Sequence, residues 1–177
     1  FAQSLKRAKK VRPLRQAVGE SQAARTEQAV GRILGSLCVM TTKKGDAESA
    51  MLASWVSQAT FNPPGLTVAV AKDRAIESMT HVGDKLVLNI LAEGRQIRKH
   101  FMKSFAPGEN RFADVETTEA KNGCAILSGA LAYLECTVKN RMECGDHWLV
   151  YAVAEDGKVL QSDGVTAVHH RKSGSYY

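Results

Sequence analysis

Three groups of residues in this chain have the types and spacings that do chemistry. The first is Lys72-Asp-Arg74, where an apolar run ends, with Ser78 one helical turn further on. Two cations, a hydroxyl and the free N–H groups of a helix predicted to begin near Ala75 could hold an anion with several oxygens, such as a phosphate. Read alone, Lys-Asp-Arg suits a solvated turn better. The second group is the run Met51-Leu-Ala-Ser-Trp-Val-Ser-Gln-Ala-Thr-Phe61. At strand period, Met51, Ala53, Trp55, Ser57, Ala59 and Phe61 form a core face. Leu52, Ser54, Val56, Gln58 and Thr60 form the opposite face, too apolar for water and too polar for a core. Such a face suits a ligand that exchanges hydrogen bonds. Trp55 points the other way by parity and reads as a core anchor at least as well as a stacking platform. The third group is His147, which follows Gly145-Asp146 and opens an apolar strand. A side chain that titrates near neutrality suits proton transfer, although a lone histidine in a turn is commonly polar surface.

Other candidates carry less. His169-His170 could suggest a metal, but neighbours on a strand face opposite ways, no further ligands cluster nearby, and a solvated tail explains them. No metal site is expected. Asn89 sits in the apolar run Lys85–Leu91 and must find a partner, a bond to a neighbouring strand being the simplest. Cys38, Cys124, Cys136 and Cys144 show no C-x-x-C pair and no zinc spacing, so reduced thiols are expected, with Cys144 the exposed one. There is no G-x-G-x-x-G fingerprint, P-loop, nucleophile elbow or metalloprotease motif.

The elements that must position these groups are mainly strands. Ser21 is placed to cap a helix over Gln22–Leu34. Ser36–Thr42 reads as a strand, turning through Lys43-Lys-Gly-Asp46 into the Met51–Phe61 strand. Asn62-Pro-Pro-Gly65 is a turn, because two prolines fix φ and remove two ladder donors. Leu66–Ala71 is apolar enough to be buried on both sides. A short helix over Ala75–His81, a strand at Lys85–Leu91 and a half-buried helix from about Arg95 to Ser104 follow, the last with Ile97 and Phe101 on one face. Ala106–Lys121 reads as a loop. Ala125–Lys139, Trp148–Ala154 and Lys158–Leu160 supply the last strands, with turns at Cys144–Asp146 and Glu155-Asp-Gly157. Six or more antiparallel strands with few helices imply a β-barrel.

The 177 residues fit one domain. The net charge of +6 is concentrated at the start: residues 1–32 hold eight cations and two acids, and residues 33–177 hold sixteen of each. A neutral body behind a basic leader suits a linker better than a nucleic-acid groove, so no nucleic-acid partner is expected. No apolar run approaches the ~20 residues of a membrane span. The chain begins with Phe rather than Met, which suggests a piece of a longer protein.

Ala53-Ser-Trp-Val-Ser-Gln58, the Pro-Pro turn, the apolar strand and Lys72-Asp-Arg74 are followed in order by three further pieces. These are Lys85-Leu-Val-Leu-Asn-Ile-Leu91, Phe105-Ala-Pro-Gly-Glu-Asn-Arg-Phe112 and Gly145-Asp-His147. Over roughly residues 30–170 the chain thereby resembles the flavin reductase-like family. The resemblance implies a mainly β fold with short helices, the FMN-binding split β-barrel, commonly a homodimer with flavin near the subunit interface. It implies FMN as cofactor, with FAD possible, and NAD(P)H as substrate, bound without a dinucleotide-binding domain. It assigns Ser54, Trp55, Val56, Ser57 and Gln58 to the flavin ring, Ala71, Lys72, Arg74 and Ser78 to its phosphate, and His147 to catalysis.

The leader and the wording of the Ala53–Phe61 run further resemble the C-terminal module of the long flavodiiron proteins of phototrophs. There the module follows diiron and flavodoxin-like domains and feeds electrons to a centre that reduces oxygen to water. On this basis residues 1–30 are expected to be a basic linker or the end of a preceding domain, residues 31–177 the barrel domain, and the location cytoplasmic. A stand-alone flavin reductase releasing reduced flavin, or a flavin-binding relay or docking module without hydride transfer, would share the same site.

Overall fold

The computed structural model describes residues 21–175 apart from 95 and 107, so the expected basic linker at 1–20 lies outside the described residues. Helix α1 (Gln22–Val30) is capped as its sequence demands, Ser21 Oγ accepting from the Ala24 N–H at 3.2 Å, and it ends at Gly31, earlier than the expected Leu34. The strands are β1 (Gly35–Ser36), β2 (Cys38–Lys44), β3 (Ala47–Ala53), β4 (Val56–Thr60), β5 (Gly65–Ala71), β6 (Lys85–Ile90), β7 (Thr117–Glu119), β8 (Ala125–Leu127), β9 (Ala132–Cys144), β10 (His147–Val159) and β11 (Val168–His169). Helix α2 (Gln96–Phe101) lies between β6 and β7, and the short helix expected over Ala75–His81 is a 3-10 helix at Ala75–Met79. Among the described residues, no helix is long and apolar enough to cross a membrane.

Seven strands make one antiparallel sheet in the order β3-β2-β6-β9-β10-β5-β4. Strands β3 and β4 are consecutive in the chain, separated only by Ser54 and Trp55, yet they form opposite edges of the sheet. The sheet must therefore curl until its edges meet, and the barrel is split along the β3/β4 seam. The inside is filled by alternate residues, among them Met40, Val68, Val70, Leu86, Leu88, Val138 and Val150, all but fully buried. Outside, Leu37, Val39, Ala50, Leu91, Leu127 and Ala130 pack under α2, which contributes Phe101 and Ile97 as its spacing predicts.

The seam corrects the expected single strand over Met51–Phe61. The run changes partners in the middle: β3 pairs with β2, whereas β4 pairs with β5. Period-two parity fails across the crossover, so Ser57 is exposed and Phe61 is 90% exposed instead of lying in the core. Strand β5 alternates between buried and half-buried positions and is not buried on both faces. Strand β10 runs straight through the expected Glu155-Asp-Gly157 turn, absorbing it as a bulge against β9. The expected loop at Ala106–Lys121 contains β7, and the expected strand Ala125–Lys139 is two strands, β8 and β9.

Asn89 has a structural role, as its setting required. Its side-chain amide donates to the carbonyls of Val39 and Ala125, each at 3.3 Å, while its Oδ1 accepts from the Leu127 N–H at 2.8 Å. The side chain is fully buried and ties β6 to β2 and β8. Asn89→Ala is expected to cost about 2–3 kcal/mol, because one amide and two carbonyls lose a buried partner. Urea unfolding should show a lower midpoint at unchanged slope; a loss under about 0.5 kcal/mol would mean that water replaces the bonds.

Candidate functional site

The site is assembled at the seam. Strands β9 and β10 are joined by the two-residue turn Gly145-Asp146, with Gly145 at φ +60°, a conformation that costs a side-chain-bearing residue and suits this tight hairpin. The turn starts β10 at His147, directly opposite Ala71, the last residue of β5. The Lys72 N–H donates to the Asp146 carbonyl at 3.0 Å, so the loop after β5 and the histidine turn are held as one unit. The Trp55 carbonyl accepts from the Ala69 N–H at 3.0 Å, which pins the crossover to the same strand. The result brings the rings of Trp55 and His147 to 4.9 Å between centroids.

A cleft of about 610 Å³ opens beside the crossover, within the ~300–1,000 Å³ range of small-molecule sites. One wall is β3 with Ser54 and Trp55; the floor includes Ala69 and Ala71; the loop after β5 contributes Asp73, Arg74 and Ala75. The far side comes from α2 and the segment after it, with Arg98, Phe101, Lys103, Phe105 and Arg111, and from His169 on β11. Among the described residues its lining carries four cations, Arg74, Arg98, Lys103 and Arg111, against the single carboxylate Asp73. In a barrel whose residues 33–177 are charge-balanced, that excess is local and suits an anionic ligand. A smaller cavity of about 350 Å³ lies between Glu48, Asn110 and the β7–β8 region, away from all the expected site residues.

The structure gathers some of those residues and not others. Ser54, Trp55, Ala71 and Arg74 line the cleft. Val56, half-buried, packs against the barrel interior, and Ser57 and Gln58 are exposed on β4, Gln58 donating to the Thr60 carbonyl at 3.3 Å. The Lys72 ammonium is ion-paired with Glu143 and lies 5.4 Å from the centre of the Trp148 ring, outside the cleft. That pairing holds the Glu143 carboxyl below its ordinary range. Ser78 is exposed and donates to the Ala75 carbonyl at 3.1 Å. His147 is buried behind Trp55, its Nδ1 2.7 Å from Asp146 Oδ1. A carboxylate only accepts, so Nδ1 carries a hydrogen and donates this bond. The same contact keeps the Asp146 carboxyl below its usual range.

Arg98, Lys103, Arg111 and His169 were not among the expected site residues. Arg98 reads in sequence as the polar flank of an ordinary amphipathic helix, and His169 as part of a solvated tail. The structure corrects the second point: β11 pairs His169 with Gly35 and brings it to the cleft, while His170, just past the strand, is exposed. Among the described residues, no group of three or more His, Cys, Asp or Glu is arranged to hold a metal ion. Cys38, Cys124 and Cys136 are buried and Cys144 is exposed, all as free thiols. Burial pushes the Cys38 and Cys136 thiols up to about 12.

A family model described as the flavin reductase like domain matches residues 30–176. The chain belongs to this family. Diflavin flavoprotein A 1 of Synechocystis sp. is 61% identical over 153 residues, covering 85% of this chain and 27% of that protein. A Nostoc sp. relative, also named as a diflavin flavoprotein A, is 65% identical over 179 residues, covering the whole of this chain and 30% of its own length. This chain therefore spans less than a third of the curated relatives it matches. Among solved structures, the NADH:FAD oxidoreductase of Streptomyces globisporus C-1027 superposes with a TM-score of 0.73 at 22% identity, covering 84% of this chain and 87% of that one. A flavin reductase solved with NADP+ gives 0.70 at 19% identity, covering 84% and 92%. At these identities the likeness is one of fold, and the fold of the flavin reductase-like family is the split barrel seen here.

Proposed function

We propose that this chain is an NAD(P)H:flavin oxidoreductase module that holds FMN in the cleft at the barrel seam. The observation that carries the proposal is the cleft itself: an apolar wall, a buried hydroxyl and four cations against one acid, on the elements where the family resemblance implies flavin. A flavin mononucleotide needs those features, a flat apolar surface for its ring and positive charge for its phosphate. When bound, FMN supplies the ring that accepts a hydride and hands electrons on.

The protein's part is to bind, orient and supply protons. Ser54 and Trp55, with Ala71 below them, would hold the ring. Val56, Ser57 and Gln58 lie outside the lining of the cleft and are left out of the proposed ring contacts. Arg74 would carry the phosphate, with Lys72 and Ser78 at the loop's outer rim. His147, oriented by Asp146, would give or take a proton beside Trp55. The related diflavin flavoproteins are more than three times as long as this chain, leaving room for the flavodoxin-like and diiron domains to which a flavodiiron protein would pass these electrons for oxygen reduction. A homodimer, and residues 1–30 as a linker to a preceding domain, belong to the same proposal.

The test is anaerobic mixing of the FMN-loaded chain with NADH and, separately, NADPH, following the oxidised-flavin band near ~450 nm. Bleaching by either nucleotide is expected, and the faster one identifies the donor. Flavin that binds and stays oxidised with both would replace the oxidoreductase by an electron relay.

A further inference from the structure

The end of the cleft built by α2 and β11 carries donors that the proposed flavin contacts leave over. Arg98 Nη2 and His169 Nδ1, 71 residues apart in sequence, lie 3.5 Å from each other. A guanidinium has no lone pair to offer, so Nδ1 is the acceptor and the imidazole hydrogen sits on Nε2. Burial, and then the neighbouring charges of Arg98 and Arg171, push the His169 pKa down, which favours this neutral tautomer. His169 Nε2 is buried and meets no hydrogen-bond partner among the described residues. Two residues on, Arg171 Nη1 is in the same condition, although its Nη2 donates to the Val30 carbonyl at 3.5 Å.

A buried N–H without an acceptor is costly and rare in native folds, and a ligand or water that supplies the oxygen relieves it. Arg98 holds the Nδ1 edge of this imidazole, Lys103 and Arg111 line the same cleft, and Asp73, the one carboxylate among the described residues of the lining, is paired at 3.9 Å with Arg74. Positive charge and a spare donor call for an anionic, multi-oxygen group. FMN brings a single phosphate, for which the loop at Arg74 suffices; the hydride donor brings a pyrophosphate of its own. We infer that Arg98 and His169 form a second phosphoryl subsite in the cleft, which receives the pyrophosphate of the nicotinamide dinucleotide. The inference rests on the proposed oxidoreductase chemistry.

The experiment uses the full chain loaded with FMN and ADP-ribose as the probe, since ADP-ribose keeps the pyrophosphate and lacks the nicotinamide. Calorimetric titration is expected to show binding to the parent protein. Arg98→Gln and His169→Phe should each weaken it at least about tenfold, the scale of one lost charge-assisted bond. His169→Gln, whose amide nitrogen can stand in for the imidazole Nε2, should stay within about threefold of the parent. Thermal unfolding monitors the fold of each variant, and the FMN dissociation constant should change less than about twofold.

Unchanged ADP-ribose affinity in Arg98→Gln and His169→Phe overturns the subsite, as do equal losses in His169→Phe and His169→Gln. A fall in FMN affinity matching the fall for ADP-ribose would give these residues to the flavin phosphate and overturn the assignment to the dinucleotide. If the parent reduces its flavin with NAD(P)H while ADP-ribose fails to bind, the subsite falls and the oxidoreductase stands. If the parent binds no flavin, both fall together.

Discussion

Gly35→Ala is expected to destabilise the domain by about 3 kcal/mol and to weaken flavin binding with it, although Gly35 has no side chain and touches no ligand. A Cβ built on Gly35 would lie 1.7 Å from the Ser54 carbonyl oxygen, and that oxygen belongs to the backbone of the β3/β4 crossover. A flexible side chain could move aside, but a crossover pinned by the Trp55 carbonyl to Ala69 cannot do so without disturbing the seam. Gly35 also pairs with His169 across β1 and β11, so displacement is transmitted to both walls of the cleft at once. Gly45→Ala provides the comparison: Gly45 has φ +61° but open space around its missing Cβ, so only backbone strain of about 1 kcal/mol is expected. Chemical unfolding and an FMN titration on both variants check the argument. If Gly35→Ala proves no more damaging than Gly45→Ala, or loses stability without losing flavin affinity, the seam does not position the cleft as described.

The same seam explains what could and could not be read from the sequence. A strand that stays in one ladder is legible, and the strands expected at Ser36–Thr42 and Lys85–Leu91 are found as β2 and β6, which fill the barrel interior with residues such as Met40 and Leu88. The Ser21 cap, the Gly45 hairpin and the Ile97–Phe101 face of α2 are local features, decided by neighbours within a turn or so, and they too were legible. Met51–Phe61 was not, because nothing local marks where a continuous β-like run leaves one ladder for another. The crossover is imposed by closure of the barrel, and it turned Ser54 and Trp55 to the same cleft although parity separates them. Bulges had the same effect at Glu155-Asp-Gly157, where turn-like residues are held in β10 by the length of β9 beside it. At the site, residues contiguous with a motif were visible, whereas Arg98 and His169 come from segments far apart in the chain. A half-buried helix arginine and a C-terminal histidine have no signature of their own; only the return of β11 past Gly35 gives them a common ligand space.

Arg74→Ala is expected to weaken FMN binding roughly 10- to 100-fold, the equivalent of about 1.5–3 kcal/mol for a charge-assisted contact to phosphate. The case rests on a division of labour that the sequence leaves open. Lys72 and Arg74 look interchangeable as cations beside one loop, yet they are held differently. Lys72 is committed to Glu143 and to the face of Trp148 and does not line the cleft, whereas Arg74 lines it and, among the described residues, its side chain is paired with Asp73 at 3.9 Å. Lys72→Ala should therefore cost less than about threefold in FMN affinity, its main consequence being an unpaired Glu143 at the surface. The Arg74 loss should shrink as salt is raised, because its side chain is 59% exposed and its charge is screened. Riboflavin, which has the ring without the phosphate, separates charge from packing: Arg74→Ala should leave its affinity unchanged, since the Ser54–Trp55 wall is untouched. Equal losses for FMN and riboflavin would show that Arg74 shapes the cleft and does not hold the phosphate. A larger effect from Lys72→Ala than from Arg74→Ala would mean that Lys72 leaves Glu143 when flavin arrives, and would move the phosphate to the outer rim of the loop.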